Sequence, residues 1–175
     1  MDLAADAVLP FPRAMVFAAY RDELTSLVQY LPNVRRIEVV SRDERDGIVA
    51  LHNVWHGGGD IPAAARAFLS EAMLTWDDHA RWDESRWVCG WRIVTRSFTE
   101  AVRCEGENRF LEVDGGTRLE IRGALGIDGA KIRGVPRLVA GKVASTVEAF
   151  LAEKIRPNLV ETAASLRKHL DKKHR

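Results

Sequence analysis

Apolar residues in this chain recur at alternate positions through most of its length and at every third or fourth position near its end. The clearest alternation runs from Thr117 to Ile127, where Leu119, Ile121, Leu125 and Ile127 share one face and Arg118, Glu120 and Arg122 the other. That period predicts a half-buried strand. Six further segments read as strands: Leu3 to Leu9, Val34 to Val40, Ile48 to His56, Ala72 to Trp82, Trp87 to Thr95, and about Glu100 to Val113. Polar turns separate them at Arg42 to Gly47, at Asp83 to Arg86, and at Asp114-Gly115-Gly116, the last a strong hairpin signal.

Helical spacing interrupts this pattern early and closes it late. Pro12 suits a first helical turn, and Val16, Phe17 and Tyr20 follow within Arg13 to Arg21. Leu24, Leu27, Val28 and Leu31 predict a second short helix over Glu23 to Leu31, stopped by Pro32. Between the third and fourth strands, Asp60 can cap a short helix with Pro62 in its first turn and Ala63 to Leu69 as its body. After Gly134-Val135-Pro136, an apolar stripe of Val143, Val147, Phe150, Leu151, Ile155, Leu159, Leu166 and Leu170 predicts a long amphipathic helix. A straight helix from Leu138 to Leu170 would be about 50 Å long at ~1.5 Å per residue, against roughly 40 Å for a compact domain of this size. Pro157 cannot donate to the carbonyl of Glu153, so a kink or a break is expected just before it.

The class is therefore α+β, with no internal repeat and no linker, and residues 1–175 read as one domain. Composition agrees: 46% hydrophobic and 29% charged residues describe a globular chain. A net charge of +1 gives no global support for nucleic-acid binding. The one basic cluster, Arg167, Lys168, Lys172, Lys173 and Arg175, reads as a solvated, frayed helix end whose cations complement the helix dipole. Cys89 and Cys104 fall inside strands and are expected to be small buried apolar groups. An acidic start without a basic or apolar leader pattern, and the lack of an apolar run of about 18 residues, give the expectation of a cytoplasmic protein without stable membrane insertion.

The stretch Val8-Leu-Pro-Phe-Pro-Arg-Ala-Met-Val-Phe17, and Tyr30-Leu-Pro-Asn-Val34 followed by Arg35-Arg-Ile-Glu-Val39, resemble the first-helix and second-strand junctions of the START-like (SRPBCC) superfamily. That superfamily includes birch-pollen-allergen-like proteins, polyketide cyclases and coenzyme Q-binding proteins. The element order resembles it over nearly the whole chain, the motifs only over about residues 8–40. The resemblance implies a helix-grip fold, a seven-stranded curved antiparallel sheet over a long C-terminal helix with two short helices after the first strand. The motifs carry no catalytic residue. One departure is the stretch Gly57 to Glu71, where this fold usually has a short hairpin; an insert there would shape the rim of any cavity, as a lid would.

A bent sheet and one helix leave space between them unless large side chains fill it. Gly123 leaves such space in the inward row of the last strand. Trp87, Cys89, Trp91 and Ile93 on one strand face Val102, Cys104 and Gly106 on the next, which reads either as a cavity or as tight interdigitation. Trp55, Trp76, Trp82, Trp87 and Trp91 all fall in strands three to five and suit either a sheet core or a wall for a flat ligand.

Groups with chemistry are sparse. His56-Gly57-Gly58-Gly59 is similar to an oxyanion-hole stretch, but no Gly-x-Ser-x-Gly accompanies it, so a flexible turn is expected. His52, His56 and His79, with Asp60, Asp77 or Asp78, lack a close ligand motif and read as exposed strand histidines, with no metal expected. Adjacent Asp77 and Asp78 must point to opposite faces of a strand. Asp78 is then either an inward polar handle, with Arg92 as a possible partner, or an edge residue at a bulge, the plainer alternative.

These readings converge on a binding or carrier protein for a hydrophobic small molecule such as a lipid, quinone or polyketide, more in keeping with a non-catalytic role and with no cofactor. The expected ligand-binding residues are Trp55, Trp76, Trp82, Trp91, Ile121, Val143, Val147, Phe150, Leu151 and Ile155. Two alternatives stand beside it: a polyketide aromatase/cyclase-type enzyme on the same fold, and a protein-interaction module, with a homodimer as one form of partner.

Overall fold

The computed structural model describes residues 1–58, 74–96, 99–132 and 134–174, and within 150–159 the backbone alone. The strands are β1 (Asp2–Leu9), β2 (Val34–Arg45), β3 (Ile48–Gly57), β4 (Thr75–Asp83), β5 (Val88–Thr95), β6 (Val102–Val113) and β7 (Gly116–Ile127). Helix α1 spans Arg13–Asp22 and helix α2 spans Arg137–Lys173. The seven strands form one curved sheet in the order β1-β7-β6-β5-β4-β3-β2, each neighbour antiparallel. Among the described strands only the β1–β7 pairing joins segments distant in sequence, and α2 packs against both strands and against α1.

One face of the sheet carries the core. Leu3 and Leu9 from β1, Val49 and Leu51 from β3, Ala80 and Trp82 from β4, Cys89 from β5, Cys104 and Phe110 from β6, and Leu119, Ile121 and Leu125 from β7 are all buried. From the helical layer, Val16, Phe17, Leu27, Ala163, Leu166 and Leu170 close over them. Phe17 is the hub, with its ring centroid 5.2 Å from Trp82, 5.3 Å from Trp87 and 5.0 Å from Phe110, each in an edge-on arrangement. Both cysteines are buried and free.

Several expectations change. The second short helix expected over Glu23 to Leu31 is present as a 3-10 helix, Leu24–Tyr30. The nine residues between α1 and Pro32, Glu23 to Leu31, leave little length for a second α-helix with its own amphipathic face. The turn expected over Arg42 to Gly47 contracts to Asp46-Gly47, because β2 continues to Arg45 and pairs Arg45 with Ile48. Asp46 and Gly47 both have positive φ, 52° and 75°, as a tight two-residue hairpin turn requires. Trp87 stands before β5, at φ 56°, where Phe17 and the Arg13 guanidinium (4.4 Å from the ring centroid) hold it.

The C-terminal helix is continuous through Pro157, so of the kink or break expected there the break does not occur. Nor is its end frayed: Leu170 is buried, and Glu23 accepts from His169 Nε2 at 2.7 Å and Lys173 Nζ at 2.6 Å. Lys168 and Lys172 remain exposed as expected. His56 and Gly57 close β3 instead of forming a flexible turn, and the Gly58 N–H donates to the Asn33 carbonyl at 2.9 Å. The helix expected over 63–69 lies outside the described residues. No helix among the described residues is long and apolar enough to cross a membrane.

Candidate functional site

Strand alternation decides which side chains face α2. The register sets Trp55 beside Trp76 and Trp76 beside Thr95; one step along, Asn53 pairs with Asp78 and Asp78 with Ile93. The next row joins Leu51, Ala80, Trp91, Gly106, Gly123 and Leu3. All these positions share the inner face. Among the described inward positions of the sheet the one cation is Arg42, beside Leu51 on the edge strand β2, where it is exposed and paired with Asp22.

The inner face has two halves. Toward α1 it is packed solid by the Phe17 cluster, and there Trp82 (3% exposed) and Ile121 (2%) are core residues. Toward the β3–β5 end, Trp55, Trp76, Asp78, Ile93 and Thr95 are only half-buried. The Trp55 and Trp76 rings lie 5.8 Å apart and 17° from parallel, forming an aromatic wall. On α2, Val147 is buried and Val143 half-buried, whereas the side chains of Phe150, Leu151 and Ile155 fall outside the described residues.

Gly123 does not open a void. A Cβ there would stand 2.5 Å from Trp91 Cη2, and one on Gly106 would stand 2.3 Å from Trp91 Cζ2, so the indole itself occupies the space over both glycines. Its N–H donates to Asn108 Oδ1 at 2.9 Å, which fixes the ring. Interdigitation is the outcome at this row.

Asp78 points inward from a central strand, which rules out the edge position. Its partner is Asn53, whose Nδ2 donates to Asp78 Oδ2 at 3.1 Å, and not Arg92, which is exposed on the outer face. Desolvation pushes the Asp78 carboxyl up to about 6; the hydrogen bond from Asn53 and the nearby Trp55 indole oppose the shift without cancelling it. The Trp55 N–H is close enough to favour the charged carboxylate yet lacks hydrogen-bond geometry to any protein group. Asp78 is half-buried on the inner face, enough to desolvate its carboxyl. Tyr20 has the same character: burial raises its phenol, opposed by hydrogen bonds with Asn108 and Thr162.

Asp77 takes the opposite face, as alternation requires. It accepts from Arg96 Nε at 3.0 Å and is 2.7 Å from His52 Nε2; Arg96 above all holds its carboxyl below the usual range. His52 stacks on His79 at 4.6 Å, and His56 pairs with Glu38 at 2.7 Å. These are outer-face contacts, and among the described residues no three metal-ligating side chains cluster.

Sequence reasoning missed Asn53, Asn108, Tyr20 and Thr95. Asn53 was within reach, because it interrupts the alternation Leu51, Asn53, Trp55 at an inward position.

No family model matches the chain, and no curated protein matches its sequence. Solved structures do. The Zhui aromatase/cyclase from Streptomyces sp. R1128 is similar over 100% of this chain and 96% of its own, with TM-score 0.66 and 17% identity. A protein from Thermus thermophilus is similar over 95% of this chain and 97% of its own, with TM-score 0.64 and 19% identity. Ara h 8.0201 is similar over 97% and 96%, with TM-score 0.53 and 13% identity. At these identities the likeness is one of fold, and it agrees with the order of elements and the sheet topology: the chain has the helix-grip fold, a curved seven-stranded antiparallel sheet with a long C-terminal helix.

Proposed function

We propose that this protein binds an apolar small molecule, of lipid, quinone or polyketide type, between the inner face of β3–β6 and helix α2. The observation that carries the reading is the unequal filling of that face. One half is packed to exclusion, while Trp55, Trp76, Asp78, Ile93 and Thr95 on the inner face are only half-buried. Apolar walls with a few convergent polar groups are the usual make-up of a small-molecule site. Native mass spectrometry of protein purified without detergent, with titration by an apolar fluorophore, tests it. A bound mass or saturable one-to-one binding is expected; the absence of both would refute the reading.

A second reading, an aromatase/cyclase-type enzyme, is favoured by one specific observation. Asp78 is an inward carboxyl with a pKa of about 6, able to hold or release a proton near neutral pH. Incubation with a reactive poly-β-ketone and product analysis separates the two, since a carrier leaves the product distribution unchanged.

A further inference from the structure

Three inward polar atoms near the Trp55–Trp76 wall are buried without a protein partner: Asn53 Oδ1, Trp55 Nε1 and Thr95 Oγ1. They belong to β3 and β5, the two strands that flank β4 in the sheet. Asn53 stands beside Asp78, and Trp55 and Thr95 flank Trp76 from either side. Asn53 is only 1% exposed, and its amide nitrogen is already committed to Asp78. An orphaned buried polar group costs about 1–3 kcal/mol, and few are left so in native proteins. Three in one patch, around a carboxyl, are better understood as hydrogen-bonding capacity kept for something that enters.

The chemistry of the patch limits what that is. Asn53 Oδ1 only accepts, Trp55 Nε1 only donates, and Thr95 Oγ1 does both. The positions that flank Asp78, Asn53 and Ile93, supply no cation, and the inward Arg42 stands on the edge strand β2 and is committed to Asp22, so an anionic head group would meet Asp78 without a counter-charge from its neighbours in the sheet. A neutral group that donates and accepts satisfies the set. The near-parallel indoles beside it suit a flat ring system.

We propose that Asn53, Trp55, Asp78 and Thr95 form a polar subsite that anchors a neutral hydroxyl group of a planar apolar ligand and discriminates against carboxylates. This rests on the binding reading above and adds the part of the ligand that is recognised. A site built to hydrogen-bond a hydroxyl rejects analogues lacking it, because its own groups are then left unpaired.

Isothermal titration with 2-naphthol, 2-methoxynaphthalene and 2-naphthoate tests this on the full chain and on Thr95→Val and Asp78→Asn. The subsite predicts that 2-naphthol binds at least about tenfold tighter than either analogue. Thr95→Val should lower 2-naphthol affinity by about five- to tenfold and leave 2-methoxynaphthalene unchanged. Thr95→Val keeps the shape of the side chain, and a circular dichroism spectrum matching the parent confirms that it folds. Equal affinities for all three probes would mean that ordered water satisfies the patch, overturning the subsite while the binding reading stands. Tightest binding of 2-naphthoate would overturn the subsite as well. Binding of no probe would overturn both.

Discussion

Replacing Asp78 with Asn should stabilise this protein at neutral pH and do so less as the pH falls. The native carboxyl titrates near 6 against an ordinary 3.8, because desolvation disfavours its charged form. A raised native pKa means that the folded chain holds the proton more tightly than the unfolded one. Stability from this group is therefore fullest below 3.8, declines as pH rises, and is lost once pH passes 6. A shift of about two units corresponds to about 3 kcal/mol at 1.36 kcal/mol per unit. That is a ceiling, since water reaching the accessible part of the carboxyl lessens the cost. Of this, about 2 kcal/mol falls between about pH 4.5 and 7.5 by the same linkage relation. Asn has no titration, and its side-chain oxygen can still accept from Asn53 Nδ2. Urea denaturation of both proteins at the two pH values gives the difference of differences, which cancels pH-independent effects of the substitution. The advantage of the variant should grow by about 1–2 kcal/mol over that interval, equivalent to roughly 2–8 °C in Tm for a chain of this length. A gap that stays constant or narrows toward the higher pH would refute the inward, desolvated placement of Asp78.

Gly123→Ala should destabilise by about 2–4 kcal/mol in denaturant melts, because its Cβ would strike Trp91 at 2.5 Å and the Glu105 carbonyl at 2.8 Å. Combining it with Trp91→Phe should recover part of that loss, and strict additivity would count against the interlock. Phe17→Ala removes the hub of the packed half and should cost about 3–5 kcal/mol in the same assay. Glu23→Gln should cost up to about 1 kcal/mol at about pH 6.5 and speed amide exchange in the last turns of α2. Lys173 and then His169 lower the Glu23 pKa, so this contribution is present above 4.5 and fades as pH falls through the native value.

Much of the frame was legible because it is local. The alternation of β7 and the three-four stripe at the C-terminus state a period and hence an element, and the Asp114-Gly115 turn fixes the β6–β7 hairpin. Pairing of β1 with β7 was not legible, since nothing in Asp2–Leu9 specifies a partner more than a hundred residues away. Asp46-Gly47 carried its hairpin signal openly, but the charged run from Arg42 to Arg45 masked it, being polar on both faces. The site was half legible. Its tryptophans were visible as a cluster, yet composition cannot tell Trp82, which fills the core, from Trp55, which borders accessible space. Gly123 read as a gap because the reach of an indole from two strands away is a property of the assembled sheet. The identity of Asp78 as an inward group needed its strand to be central, which only the register settles.

The most direct measurement is an indole nitrogen–proton spectrum of the five tryptophans, followed as 2-naphthol is added. Binding inside the sheet at the β3–β5 end predicts saturable shifts of the Trp55 and Trp76 resonances, with a downfield move of the Trp55 indole proton as it gains an acceptor. Trp82 and Trp87, locked against Phe17, should stay in place. Shifts confined to Trp87, or no saturable shift in any of the tryptophans, would contradict an interior ligand site.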